Sequence, residues 1–189
     1  MFPPQPPRSA ESRRGMTLME VMVALLVMTT AAQILLSALT ASLGYRITKE
    51  ERARAVEAAS NVIEDMHSTA FYDVFASFNS DPADDPLGPG TAHGSRFDVE
   101  GLDPVPGQSS VGTVLLPERA GQLIESVTME ELGMPRDLDG DFLIDSQDHS
   151  GDYLILPVSV TIRWQSRKGE RSYTMATMLA DLCREEDYE

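Results

Sequence analysis

Residues 15–43 read GMTLMEVMVALLVMTTAAQILLSALTASL, and this stretch decides the architecture of the chain. The 23 residues from Val21 to Leu43 carry no charge. A helix of that length is roughly 35 Å long, because each residue adds about 1.5 Å, whereas the hydrocarbon core of a bilayer is about 30 Å thick. We therefore predict that residues 21–43 span a membrane as one helix.

The segment before this apolar run is rich in proline and basic. Four prolines within residues 3–7 prevent a helix there, and Arg8, Arg13 and Arg14 favour a cytoplasmic amino terminus. A secretory signal peptide has a shorter apolar core, followed by a cleavage site of small residues, and no convincing site of that kind follows Leu43. The sequence thus predicts a single-pass protein whose carboxy-terminal part lies outside the cytoplasm.

One acid, Glu20, stands at the edge of the apolar run, five residues after Gly15. An ionised side chain inside a bilayer helix costs about 2.5–3.5 kcal/mol on insertion scales, so an acid there is expected to have a partner or a function. The alternative is an interfacial carboxylate that reaches out to the headgroups.

The sequence of residues 15–20 resembles the signature of the type IV prepilin family, which comprises type IV pilins and type II secretion pseudopilins. That signature is a basic leader ending in Gly, then Phe or Met, Thr, Leu, an apolar residue and Glu, followed by an apolar helix. Met16 stands where most members have Phe, as is frequent in the I-type minor pseudopilin and occurs in related minor pilins. The leader, residues 1–15, is long for the family.

The resemblance implies a processing event and an assembly. A prepilin peptidase would cut between Gly15 and Met16 and methylate the new amino group of Met16, and Glu20 would pair with the Met16 amine of a neighbouring subunit. The implied partners are the peptidase, other pilin or pseudopilin subunits and the inner membrane. The body would be periplasmic, within a periplasmic or surface filament.

The helix is predicted to continue beyond the membrane. Apolar residues recur at three- and four-residue steps after Gly44, at Ile47, Val56, Ala59, Ile63 and Met66. We expect one helix over residues 16–70 and an α+β body over residues 71–189, the pilin-like arrangement of a long helix packed on a small antiparallel sheet.

The body has a loop followed by short strands. Residues 79–94 are rich in Pro, Gly and Asp and predict a surface loop. Short apolar or alternating runs follow at 96–102, 111–116, 123–129, 153–164 and 171–179. The last two predict an antiparallel hairpin, in which Val158, Val160, Ile162 and Trp164 share one face and Ser159, Thr161 and Arg163 the other. Pro157 is expected at an edge or at the start of the regular strand.

An acidic loop at residues 137–148, DLDGDFLIDSQD, has the ligand spacing of a calcium loop. Numbered from Asp137, carboxylates occupy positions 1, 3, 5, 9 and 12, and position 7 supplies a backbone carbonyl. The predicted ligands are Asp137, Asp139, Asp141, Leu143, Asp145 and Asp148. Calcium fits because it is a hard ion that accepts several oxygens in irregular geometry.

Two features of this loop leave alternatives open. Phe142 occupies position 6, where the motif has glycine, so either the loop turns differently or the affinity for calcium is reduced. A solvated Asp-rich turn without an ion is the second reading, although carboxylates so crowded repel one another. His149 follows the loop and is expected to be a surface residue, because imidazole is a poor calcium ligand.

The composition excludes several classes of function. A net charge of −15 argues against a nucleic-acid partner, and one cysteine cannot form an intramolecular disulfide. We find no catalytic constellation and expect no enzyme. The rival hypothesis to a filament subunit is an uncleaved single-span anchor that displays a calcium-dependent binding module.

Overall fold

A computed structural model describes residues 17–167 and 169–181, so the leader 1–15, with Gly15, and Met16 lie outside the described residues. The elements in chain order are α1 (Leu18–Ser68), α2 (Phe71–Phe78), β1 (Arg96–Phe97), β2 (Gly112–Leu115), β3 (Glu118–Arg119), β4 (Gln122–Leu123), a 3-10 turn (Glu130–Leu132), β5 (Ile155–Ser166) and β6 (Gly169–Ala180). The predicted α+β class, with a long amino-terminal helix and a small antiparallel sheet, is confirmed.

Helix α1 contributes to two structural units, one ending at Arg46 and one beginning at Ile47. In the first unit the apolar side chains of the helix are exposed; Leu26 and Ile34, for example, are 67% and 70% exposed. Among the described residues, α1 is the one helix long and apolar enough to cross a membrane. The predicted span 21–43 lies within it and remains a candidate membrane span.

In the second unit α1 packs on the body through a narrow stripe. Ala55, Ala59 and Met66 are buried, and Val62 and Ile63 pack at the margin of the same core. Of the predicted stripe Ile47, Val56, Ala59, Ile63 and Met66, Ala59 and Met66 are buried and Ile63 packs at the margin, whereas Ile47 and Val56 are only half-buried. Ala55 was not predicted, but it is buried.

The short helix α2 was not predicted as a helix. Its residues Phe75 and Phe78 are buried, whereas Tyr72 is exposed. Tyr153 anchors α2, since its buried hydroxyl donates to the Phe71 carbonyl and accepts from the Phe75 N–H. Burial of this phenol raises its pKa to about 12.

The main sheet has the order β1-β2-β5-β6 and is antiparallel throughout. The predicted hairpin is confirmed: β5 and β6 pair continuously from Ser166↔Gly169 to Ile155↔Ala180. Val158, Val160, Ile162 and Trp164 are all buried on its core face. Alternation with period two therefore gave the correct face of this strand.

Two residues of β5, Pro157 and Ser159, lie where the pairing with β2 ends. Pro157 lies beyond the last pair with β2, Leu115↔Ser159, so its missing N–H falls on an unpaired side, as predicted. Ser159 was predicted on the outer face with solvent-facing residues, but it is fully buried. The 3-10 turn packs against β5, so this part of the outer face is not a solvent face.

The predicted run 123–129 is mostly not a strand. Only Gln122–Leu123 is regular, and the backbone then bonds to the acidic region: the Ser126 N–H donates to the Asp145 carbonyl and the Glu125 carbonyl accepts from the Arg136 N–H. Leu123, Ile124 and Val127 are buried, but the backbone of this segment bonds to a loop and not to a strand. Likewise only Arg96–Phe97 of the run 96–102 forms a strand, while residues 79–94 form no helix or strand, as predicted.

Candidate functional site

The described part of the amino-terminal signature begins with a capped helix. The Thr17 hydroxyl accepts from the Glu20 N–H at 3.3 Å, and the Thr17 carbonyl accepts from the N–H groups of Glu20 and Val21. Thr17 is therefore the N-cap of α1, and Glu20 lies in its first turn, where the helix dipole favours an acid. The other two predicted residues of this site, Gly15 and Met16, lie outside the described residues.

The acidic loop is wound by its own carboxylates. The Asp137 carboxylate accepts from the N–H groups of Gly140 at 2.6 Å and Phe142 at 2.9 Å. Asp139 and Asp141 each accept from the N–H two residues further on, at 3.0 and 2.7 Å. These turns bring the carboxylate oxygens of Asp137, Asp139 and Asp141 within 4.8 Å of one another. Three of the predicted ligands thus face a common point.

Phe142 takes the backbone conformation that glycine would have at position 6. Its φ is 69°, in the left-handed region, and its side chain is 93% exposed. The loop therefore keeps the sharp turn, and the ring gains no burial from it. A non-glycine residue held in this region costs on the order of 1–3 kcal/mol, which the surrounding hydrogen bonds must offset.

Glu125 joins this site, and the sequence analysis missed it. Its side chain is buried, and its carboxylate accepts from the N–H groups of Leu138 at 2.5 Å, Asp139 at 3.4 Å and Asp145 at 3.3 Å. The only signal in the sequence was an acid within the apolar run 123–129. Because that run was read as a strand, Glu125 was not connected with a loop that begins twelve residues later.

His149 is buried, so the prediction of a surface residue is wrong. Its Nδ1 lies 3.2 Å from an oxygen of Asp152, and its Nε2 lies 3.2 Å from an oxygen of Asp145 and 3.9 Å from an oxygen of Glu125. Burial opposes the charged imidazole, but the hydrogen bond with Asp145 and the surrounding negative charges outweigh it and raise the pKa of His149. The histidine thus lies among carboxylates, which favour the charged form of its imidazole.

The other predicted ligands, Asp145, Asp148 and Leu143, do not belong to the group formed by Asp137, Asp139 and Asp141. The Asp145 carboxylate accepts from the backbone and side chain of Gln147, and these bonds lower its pKa. Asp148 accepts from the N–H groups of Leu123 and Ser150, both at 3.1 Å, and belongs to neither group of converging ligand atoms in the described residues. The Leu143 side chain is exposed, which is compatible with a role for its carbonyl alone.

The converging ligand atoms are carboxylate oxygens together with one imidazole nitrogen, that of His149. Ligand atoms of Glu125, Asp139 and His149 also lie within 4.8 Å of one another, so Asp139 links the two groups. The Asp141 N–H favours ionised Asp139, but partial burial and the charges of Asp141 and Glu125 outweigh this and raise its pKa. A cation at this point would remove that repulsion, and carboxylate oxygens suit calcium better than the softer transition metals.

A comparison of the chain with family models, with curated proteins and with solved structures finds no match. The functional argument therefore depends on the residues of this chain.

Proposed function

We propose that the chain is a structural minor pilin or pseudopilin subunit of a type II secretion or type IV pilus filament. The observation that carries the proposal is the segment 15–20, GMTLME, joined directly to an exposed apolar helix. A prepilin peptidase cleaves after Gly15 and methylates Met16, and the mature helix packs among the helices of other subunits. The amino terminus is cytoplasmic before cleavage, and the body is periplasmic.

Glu20 has a specific role in this proposal. Within a bundle of apolar helices its carboxylate pairs with the methylated amine of Met16 on the neighbouring subunit. Such a buried ion pair fixes the alignment of neighbouring subunits more than it adds to net stability, because the cost of desolvation offsets much of the electrostatic attraction. The side chains of Leu18 and Met19, both more than 70% exposed, are available for helix packing around it.

Mass spectrometry of the protein from its native membranes tests the processing step. We expect a chain that begins at Met16 and carries one additional methyl group on its amine. A chain that begins at Met1 would contradict the proposal.

The Glu20→Ala variant tests assembly, and Glu50→Ala, on the exposed surface of the same helix, is the matched control. We expect Glu20→Ala to be present in the membrane at normal levels but absent from sheared filaments, while Glu50→Ala assembles normally. Equal incorporation of both variants would refute the assembly role of Glu20.

The second candidate function is an uncleaved anchor that displays a binding module. It is favoured by the hydrogen bond from the Glu20 N–H to Thr17, because an acid in the first turn of a capped helix is stabilising without any filament. This alternative predicts an intact leader and no effect of Glu20→Ala on the displayed domain.

We further propose that the acidic loop binds calcium through Asp137, Asp139, Asp141 and the Leu143 carbonyl, with Glu125 completing the ligand set in place of Asp148. The support is that a carboxylate oxygen of buried Glu125 lies within 4.8 Å of one of Asp139, whereas Asp148 belongs to neither group of converging ligand atoms in the described residues. The ion would brace a domain whose single cysteine cannot form an internal disulfide.

Thermal unfolding of the full chain in detergent, with calcium or magnesium added after chelation, tests this site. An ion at about 100 times its Kd stabilises the folded state by about 2.7 kcal/mol, so calcium should raise the Tm by several degrees. Glu125→Gln should lose this increase, Asp148→Asn should keep it, and Glu130→Gln serves as an exposed charge control. An increase that survives in Asp141→Asn would contradict the site.

A further inference from the structure

The two edges of the main sheet differ in how they are protected. One edge is β1, which has only two residues and begins with a charged one, Arg96. The other edge is β6, which has 12 residues. Long edge strands readily pair with other chains, and proteins usually shorten, charge, bulge or cover them.

The backbone of β6 presents hydrogen-bonding groups to the outside. The N–H groups of Arg163 and Gln165 donate to the carbonyls of Val111 and Asp103, respectively. The backbone N–H and C=O groups of odd-numbered β5 residues therefore point away from β6. The backbone groups of even-numbered β5 residues point towards β6. The register pairs these residues with odd-numbered residues of β6, such as Met175. The N–H and C=O groups of even-numbered β6 residues consequently point outward, where no described strand pairs with them.

Within the part of the chain that the structure describes, most of this edge has no charge, proline, bulge or covering strand. The nine residues from Ser172 to Ala180 include no charge, proline or glycine. Every residue of β6 has a single partner in β5, so the strand has no bulge. One neighbouring charge touches its end, where Arg136 Nη1 lies 3.7 Å from the sulfur of Met178.

The side chains along this edge suit one further strand. Tyr173 and Met175 are half-buried and pack at the margin of the core, so apolar side chains beside them would extend that core. On the opposite face, Thr174 and Ala176 are exposed. An added strand would therefore carry apolar and polar residues in alternation.

We propose that the outer edge of β6 is a docking surface for an uncharged extended segment of a different polypeptide, which adds a fifth strand to the sheet. An extended backbone is the occupant because only another strand matches a row of alternating donors and acceptors. A second copy of this chain is disfavoured, since each copy brings a net charge of −15 to the contact. The inference depends neither on filament assembly nor on calcium.

The test uses the full chain in detergent micelles and a fluorescent peptide of alternating valine and threonine, about ten residues long to match the edge. The same peptide with a central proline is the control ligand. We expect saturable binding of the first peptide only. In hydrogen-exchange measurements, the amides of Thr174, Ala176 and Met178 should slow by about tenfold or more on binding, while those of Met175 and Thr177 should change little, because β5 already protects them.

Ala176→Pro removes one outward N–H without removing a bond to β5, and Ala176→Ser keeps that N–H as the matched control. We expect the proline variant to lose about tenfold or more in affinity, and the serine variant to bind normally. Ala176→Lys, which places a charge in the uncharged run, should also weaken binding and serves if the proline variant does not fold.

The inference would be overturned if the wild-type protein did not bind the peptide, if Ala176→Pro and Ala176→Ser bound it equally, or if amide protection spared the even-numbered residues. A dimer that forms without the peptide and is abolished by Ala176→Pro would identify a second copy as the occupant and would also overturn it.

Discussion

The β5–β6 hairpin and the acidic loop 137–148 are adjacent in sequence, but different forces hold them. The hairpin buries a row of apolar side chains, including Val158, Val160 and Ile162, and its backbone is paired along its whole length. In the loop Leu138 is buried, but Phe142, Leu143 and Ile144 are exposed, and the loop backbone is held by carboxylates that accept its N–H bonds. The hairpin should therefore be insensitive to ions, whereas the loop should respond to the charge around it.

The largest expected effect is in the hairpin. Ile162→Ala removes a fully buried side chain and should lower the free energy of unfolding by about 2–5 kcal/mol. The loss, measured by urea denaturation, should be equal with calcium and with chelator. A loss that depended on calcium would contradict the expectation that the hairpin is insensitive to ions.

In the loop region, Glu125→Gln should destabilise the chelated protein by about 1–3 kcal/mol. The amide replaces one accepting oxygen with a donor that faces buried N–H groups. The urea midpoint checks this value, and Glu130→Gln should leave it unchanged. If Glu125→Gln were neutral, the buried acid would not hold the loop.

At high pH the body should lose stability through Tyr153. Its folded pKa of about 12 lies above the ordinary value of 10, so ionisation favours the unfolded chain. The full contribution, about 3 kcal/mol, is present below pH 10 and is lost as the pH rises through 12. The slope of unfolding free energy against pH in this window should be smaller in Tyr153→Phe, and an unchanged slope would contradict the assignment.

The smallest effect is a gain. Phe142→Gly relieves a positive φ and exposes no cavity, since the ring is already in solvent, but glycine increases the entropy of the unfolded chain. The net expectation is a stabilisation of about 0.5–1 kcal/mol, measured by thermal unfolding. Leu143→Gly, at a neighbouring position without a positive φ, should destabilise the protein instead. A destabilised Phe142→Gly variant would mean that the exposed ring makes a stabilising contact.

Local patterns predicted the elements whose partners lie near in sequence. The apolar run 21–43 predicted a helix, and period two in residues 153–164 and 171–179 predicted the hairpin, because a short turn joins those two strands. The spacing of Asp137, Asp139 and Asp141 predicted their convergence, since the turns that bring them together span only a few residues.

Tertiary structure decided the features whose partners lie far away. Glu125 entered the site because the segment after β4 bonds to residues 136–145, and no spacing rule encodes that contact. The burial of His149 has the same cause, since carboxylates from several segments surround it. The sequence shows that Phe142 replaces the glycine of the calcium-loop motif. Only the backbone, with a φ of 69° at Phe142, shows that the sharp turn is retained.

The sequence by itself determined the membrane-length helix, the hairpin and the chemistry of the acidic loop, because each depends on short-range periodicity and residue type. Only the tertiary structure decided that Asp148 lies outside the converging groups of ligand atoms, that Ser159 is buried and that no described strand pairs with the outer edge of β6. Those features depend on which distant segments pack together, and burial and long-range hydrogen bonds are fixed only once the whole chain has folded.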